Sequence, residues 1–132
     1  MNEAPKPQLE LDPSVDLEID LHELTNEFKR FSILMYRYCQ VRARMEKRRD
    51  IAKAFLKETR ARAYKRIKSD RDTKHSEKSL EAEIDCDQEV LDAQKKFIDA
   101  EHDASTWNGA VDSMKAKKDC LIQLGSDRRK EI

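Results

Sequence analysis

The sequence contains few of the residues that make tight turns. It has 2 Gly and 3 Pro among 132 residues, and the prolines stand at positions 5, 7 and 13. An all-β protein needs Gly- and Pro-rich turns between many short strands, so this scarcity argues against a sandwich or a barrel. Beyond position 13, the absence of proline favours long, uninterrupted helices.

Cysteine and long apolar runs are scarce as well. Cys39, Cys86 and Cys120 are widely spaced and form no CxxC motif, so the sequence indicates neither a disulfide framework nor a zinc site. No apolar stretch approaches the roughly 20 residues of a membrane span, and the acidic N-terminus lacks the apolar region of a signal peptide. We therefore expect a cytoplasmic protein with no membrane partner.

The motifs of catalysis are missing too. The sequence has no P-loop, no nucleophile motif and no Gly-rich phosphate cradle. His22, His75 and His102 have no partners at metal-ligand spacing, and Asp85 and Asp87 belong to a generally acidic stretch. The sequence therefore predicts a protein that is not an enzyme and that uses no metal or cofactor.

The composition points to long helices. Aromatic residues make up 6% of the chain and charged residues 41%, which suits coiled coils better than a thick globular core. The 27 basic and 27 acidic residues cancel, but they are segregated along the chain. Residues 1–27 hold one basic and eight acidic residues, 37–68 hold thirteen and three, and 69–113 hold five and thirteen. This asymmetry indicates a polyanionic partner or complementary packing between segments.

The basic segment lies within a predicted long helix over residues 20–68. Its apolar residues recur at alternating steps of three and four, a heptad pattern in which the intervening steps are Arg42, Arg49 and Thr59. A polar connector over 69–79 supplies the chain reversal. The apolar positions of the first helix are Leu24, Phe28, Phe31, Met35, Tyr38, Met45, Ala52, Leu56 and Ala63, with Leu34, Val41 and Phe55 widening the stripe.

A second predicted helix over 80–124 has the more regular heptad. Beside its main stripe, Ile84, Leu91 and Ile98 form a second one, and a helix with two adjacent apolar faces commonly contacts more than one neighbour. We therefore expect this helix to pack on the first helix and on another subunit. Its a and d positions carry Cys86, Val90, Ala93, Phe97, Ala100, Ala104, Trp107, Val111, Met114, Lys118 and Leu121.

The two ends of the chain are predicted to lie outside these helices. Residues 1–19 are acidic and contain all the prolines, so we expect a flexible tail that docks on a neighbour as an extended arm. Gly125 is a candidate C-cap for the second helix, followed by a basic tail over 125–132. The prediction as a whole is an all-α protein whose two long helices form an antiparallel helical hairpin or coiled coil, assembled into a homo-oligomer.

The basic helix has two interpretations. Basic residues flank the apolar stripe of the first helix and acidic residues flank that of the second, so complementary rims would account for the charges without nucleic acid. Lys47, Lys57, Lys65 and Lys68, however, project away from the stripe on a helical wheel, where phosphates would reach them. Tyr64 lies among these charges and is either a base-stacking residue or a partly buried one. Both interpretations stay open on these residues alone.

Four stretches resemble the phage recombination mediators of the UvsY type. The resemblance covers roughly residues 20–131 and implies a small helical protein that assembles into rings through its C-terminal helices. It also implies single-stranded DNA binding and help in loading a recombinase onto strands covered by single-strand-binding protein, in the host cytoplasm. The stretches are LKETRARAYKRIK (56–68), TKHSE (73–77), DQEVL (87–91) and KKDCLIQLGSDRRKE (117–131).

Carried onto this sequence, the resemblance assigns two sets of residues. Its departures are a longer acidic N-terminal region and a more acidic second helix, which leave the subunit number and the partner contacts open. With Arg49 and Tyr64 added from the same helix, the nucleic-acid-binding set is Arg49, Lys53, Lys57, Arg60, Arg62, Tyr64, Lys65 and Arg66. With Val90 added from the heptad of the second helix, the oligomerisation set is Val90, Phe97, Ala104, Trp107, Val111, Met114 and Leu121.

Two functions outside DNA recombination stay open. The first is a non-catalytic coiled-coil adaptor that binds other proteins, with its basic residues paired to acids. The second is a small viral inhibitor that occupies a nucleic-acid site by mimicry, suggested by the acidic tail and the acidic second helix.

Overall fold

The structure, a computed structural model, describes residues 11–70 and 77–131, and this part of the chain contains helices and no strands. The two long helices pack against each other through the apolar stripes of their heptads. The predicted all-α helical hairpin is thereby confirmed, whereas its assembly into an oligomer stays a prediction. The helices are α1 (Pro13–Asp16), α2 (Leu24–Ser69), α3 (Glu77–Cys86) and α4 (Gln88–Lys130).

The second half of the hairpin is two helices rather than the single predicted one. The break falls at Asp87, whose Oδ2 accepts a hydrogen bond from the backbone N–H of Val90 at 3.4 Å. An aspartate in this position satisfies an N–H group that has no partner within the helix, and it therefore caps α4. The heptad pattern runs through this position unchanged, so it gave no sign of the break.

The C-terminal end of α4 also differs from the prediction. Gly125 lies inside the helix, and the residues predicted as a basic tail continue it to Lys130. A Cβ atom at Gly125 would lie 3.4 Å from Cζ of Phe28, so the glycine is a site of close contact with α2 rather than a C-cap. Arg128 and Arg129 in the last turn suit the negative end of the helix dipole.

The N-terminal region is folded from residue 11 onward, where a flexible tail was predicted. Asp12 caps α1 by accepting the backbone N–H of Ser14 at 3.0 Å, and Pro13 occupies the first helical turn. Leu17 and Ile19 then pack against the apolar core, which gives this segment a reason to stay in place. Residues 1–10, and residues 71–76 of the predicted connector, lie outside the described part of the chain.

The chain forms two compact units, each with its own core. Of the described residues, unit 1 comprises 11–42 and 107–131, and unit 2 comprises 43–70 and 77–106. The core of unit 1 contains Leu24, Phe31 and Tyr38 from α2 and Val111, Met114 and Leu121 from α4. The core of unit 2 contains Ala63 from α2, Leu80 and Ile84 from α3, and Val90 from α4.

Two polar side chains enter the core of unit 1 and hold α1 in place. Tyr38 is fully buried, and its hydroxyl donates a hydrogen bond to Oδ2 of Asp16 at 2.7 Å. Lys117 donates from Nζ to the backbone carbonyl of Asp16 at 2.5 Å and pairs with Oε2 of Glu27 at 2.8 Å. Trp107 packs beside the tyrosine, with ring centroids 5.8 Å apart. These bonds join α1, α2 and α4 at a single point.

The burial of Lys117 corrects one predicted position in the heptad of α4. The heptad placed Lys118 in the apolar stripe, but Lys118 is exposed and Lys117 is buried. Because α1 also contacts α4, where Lys117 donates to the backbone carbonyl of Asp16, the buried face of α4 extends toward α1. A heptad pattern describes the packing of two helices on each other, so it does not predict the contact of α4 with α1.

We expect Lys117→Ala to destabilise the protein by about 3 kcal/mol, because it leaves the carboxylate of Glu27 buried without a partner. The two side chains are 5% and 12% exposed, so solvent replaces little of the lost ion pair. The matched control is Lys118→Ala, which removes the same group from an exposed position and should change stability by no more than about 0.5 kcal/mol. Urea unfolding followed by circular dichroism measures the stability of both variants. Equal effects of the two substitutions would contradict the burial of Lys117.

A second expectation concerns alkaline pH. Burial, together with the hydrogen bond to Asp16 and its charge, raises the pKa of Tyr38 far above that of an exposed tyrosine. A tyrosine in the unfolded chain ionises at about pH 10. The stability that the neutral Tyr38 contributes is therefore complete below that pH and is lost as the pH rises further.

At about pH 11, this loss should reach about 1.4 kcal/mol in the unmodified protein and should be absent in Tyr38→Phe. Other groups titrate alike in both proteins, so the difference between their unfolding free energies at about pH 8.5 and 11 isolates this hydroxyl. Parallel pH profiles would show that the side chain is accessible to solvent.

Candidate nucleic-acid interface

All eight candidate nucleic-acid-binding residues lie on α2 within unit 2. This stretch of α2 is rich in Ala, Arg, Lys and Glu, which have favourable helix propensities. The fully buried residues of this stretch, Thr59 and Ala63, are small, and Leu56, Tyr64 and Ile67 pack partly buried beside them. The Thr59 hydroxyl is satisfied by donating to the carbonyl of Phe55 at 2.8 Å. The longer basic side chains therefore lie around the remainder of the helix.

Three of the eight candidates form ion pairs. Arg60 contacts Oδ1 of Asp85 on α3 at 2.8 Å, and Arg66 contacts Asp87 at the start of α4. Arg66 also approaches Oε2 of Glu89 at 3.7 Å. The third, Arg49, pairs with its chain neighbour Asp50 at 3.2 Å. Complementary packing between basic and acidic segments is thus real, but it involves the arginines at the border of the packed face.

The remaining cations project from unit 2. Lys53, Lys57, Lys65 and Arg62 are exposed, and none of them forms an ion pair with a residue in 11–70 or 77–131. On a helical wheel, Lys57 and Lys65 lie opposite Ala63 and Thr59, beyond the reach of α3 and α4. Further cations that the prediction left out of the set, namely Arg44, Lys47 and Arg48, are also exposed and form no ion pair with a described residue.

Tyr64 is engaged within the protein. Its side chain is half-buried and packs against the core of unit 2. The ammonium group of Lys68 lies 5.3 Å from the ring centroid and donates to the phenolic oxygen at 3.2 Å. Base stacking by Tyr64 stays a prediction, and it would require Lys68 to leave the ring.

Phe55, which is predicted to widen the apolar stripe, is 44% exposed in the structure. Ile51, one turn earlier, is 57% exposed. The guanidinium of Arg62 lies 5.9 Å from the centroid of the Phe55 ring. In the sequence, Ile51 and Phe55 do not fall on the heptad positions, and this offset indicates that they lie beside the packed face.

The predicted oligomerisation residues serve the packing of the single chain. Phe97 and Trp107 are partly buried, and Leu91 and Ile98, from the second apolar stripe of α4, are exposed. Ile84, the third member of that stripe, lies in the core of unit 2. Assembly through the predicted set stays a prediction. The members buried within the chain are Val90, Ala104, Val111, Met114 and Leu121.

Other kinds of site find little support in the described residues. Within 11–70 and 77–131, no His, Cys, Asp and Glu side chains are grouped closely enough to hold a metal ion. The three cysteines are free thiols. None of the helices described here is both long and apolar enough to cross a membrane.

Comparison with family models, curated proteins and solved structures finds no match for this chain. The resemblance to the UvsY-type mediators therefore stays a prediction that rests on the residues quoted for it.

Proposed function

We propose that this protein binds single-stranded DNA through the exposed cations of α2 in unit 2. The observation that supports the proposal is that some of those cations form ion pairs within the protein while others do not. In the ion pairs between described residues, acids of α3 and α4 contact the bordering Arg60 and Arg66, while Lys53, Lys57 and Lys65 are exposed. A helix face with several unpaired cations attracts a polyanion, and phosphates supply the matching charge.

The binding mode is electrostatic capture without catalysis. Lysine and arginine neutralise phosphates and release condensed counterions, so affinity falls steeply as salt is added and depends little on base sequence. Glu46, Asp50 and Glu58 lie on the same stretch and reduce its field, but the basic residues outnumber them. Assembly of several copies would add their fields and strengthen the attraction.

The resemblance to UvsY-type mediators extends the proposal to a role in DNA recombination and repair. In this role, a homo-oligomer holds the strand and helps a recombinase replace single-strand-binding protein on it. The partners are then single-stranded DNA, a recombinase, the single-strand-binding protein and further copies of this chain.

We expect the triple variant Lys53/Lys57/Lys65→Ala to bind oligo(dT) more weakly and with a flatter salt dependence. Each phosphate contact on a single strand contributes about 0.7 to the slope of log affinity against log salt, so the slope should fall by about 2. Fluorescence anisotropy with labelled oligo(dT) at several salt concentrations measures both quantities.

The matched control is Lys95/Lys96/Lys115→Ala, which removes the same charge from exposed positions on α4. This control should keep most of the affinity and slope. Equal losses in the two triple variants would mean that net charge, rather than this face of α2, governs binding. If the unmodified protein shows no salt-sensitive binding even near 0.05 M salt, the proposed function is wrong.

A second candidate function is that of a coiled-coil adaptor that binds other proteins. Leu91 and Ile98, exposed two helical turns apart on one face of α4, favour it, because an exposed apolar face commonly marks a contact with a partner. The same titration separates the two functions, since an adaptor needs no affinity for oligo(dT).

A further inference from the structure

One flank of α2 in unit 2 combines exposed apolar side chains with cations. Ile51 and Phe55 stand one helical turn apart and are 57% and 44% exposed. Neither belongs to the core of unit 2. On a helical wheel, Arg48 and Arg62 lie on the same flank, so an aromatic ring and an aliphatic side chain are bracketed by two guanidinium groups.

The charges of this flank are available to a ligand. Within the described chain, Arg48 and Arg62 contact no carboxylate, and Arg62 instead lies 5.9 Å from the centre of the Phe55 ring. Its Nη2 donates only a long hydrogen bond to Thr59, at 3.4 Å. Glu58 is the acid nearest to Arg62 in the sequence. It stands four residues before Arg62, a spacing at which its negative charge partly offsets the positive charge of the arginine. The flank nevertheless stays positive, and Phe55, with Arg62 over its ring, is still 44% exposed.

We infer that Phe55 is a stacking platform for a base of the bound strand, with Arg62 beside it to bind the adjoining phosphate and Ile51 to contact the sugar. This inference rests on the proposed function and adds a residue that recognises bases rather than phosphates. Every base has a π-face, so stacking on an aromatic ring is tolerant of sequence. It requires an unpaired, accessible base, which gives the protein a preference for single strands over duplexes.

Charge complementarity favours a nucleic acid over an apolar protein helix on this flank. A hydrophobic partner would cover Arg48 and Arg62 and would have to supply carboxylates for both. A single strand supplies an apolar base and an anionic phosphate within the same nucleotide. Each ring has a cation over it, Arg62 over Phe55 and Lys68 over Tyr64, but Phe55 is 44% exposed whereas Tyr64 packs against the core of unit 2, so Phe55 suits the role better.

The test compares the unmodified protein with Phe55→Ala on oligo(dT) and on an abasic oligonucleotide of the same length. We expect Phe55→Ala to bind oligo(dT) about tenfold more weakly, the loss that one stacked base contributes. The salt slope should not change, because no charge is removed. On the abasic strand, the two proteins should bind equally, since only phosphates remain to be contacted.

Two further variants keep the test decisive. Phe55→Leu retains an apolar side chain with favourable helix propensity but no ring, so it should lose affinity for oligo(dT) like the alanine variant. Phe55→Trp retains a ring and should restore binding. Tyr64→Ala should weaken binding less than Phe55→Ala does.

The outcomes separate this inference from the proposed function. Salt-sensitive oligo(dT) binding that is the same in Phe55→Ala and Phe55→Leu as in the unmodified protein would overturn the platform and leave the phosphate face intact. Loss of abasic binding in step with oligo(dT) binding would also overturn it. A lower mass in solution for Phe55→Ala would identify the residue as a contact between copies of the chain, and the platform would then be wrong.

Discussion

The direction in which each basic side chain projects from α2 decides whether it forms an ion pair or stays exposed. In unit 2, α3 and the start of α4 cover one side of that helix, so the arginines at its border, Arg60 and Arg66, meet Asp85 and Asp87. Lys57 and Lys65 leave from the opposite side and have no carboxylate within reach among the described residues. Exposed ion pairs contribute only about 0–1 kcal/mol each, so these pairs align the helices more than they stabilise them.

The sequence was sufficient to predict the helices and their antiparallel pairing, because heptad spacing is a strong and local signal. It was insufficient wherever a third element takes part. Lys117 is buried because α1 lies over it, and the docking of α1 depends on contacts with residues distant in sequence. The break at Asp87 is not predicted for a related reason. In the sequence, an aspartate that caps a helix cannot be distinguished from an aspartate on a helix surface.

The candidate interface was only partly predictable. The basic segment could be located from composition, but which of its cations are paired depends on where α3 turns into α4, and no local pattern encodes that. Tyr64 was chosen because it is an aromatic residue among charges, yet burial against the core of unit 2 gives it a structural role. Phe55 was assigned to the core because it borders the apolar stripe, and the narrow packed face of α2 leaves it outside.

The two cores differ in how far apart their members lie along the chain. The core of unit 2 joins Ala63 to Val90, whereas that of unit 1 joins Leu24 to Leu121, almost the full length of the chain. The entropy lost on closing a loop grows with its length, so unit 2 closes at the lower cost and brings the distant segments of unit 1 together. During synthesis, Phe31 and Tyr38 leave the ribosome well before their partners on α4 exist, so they stay in contact with water until α4 has been made.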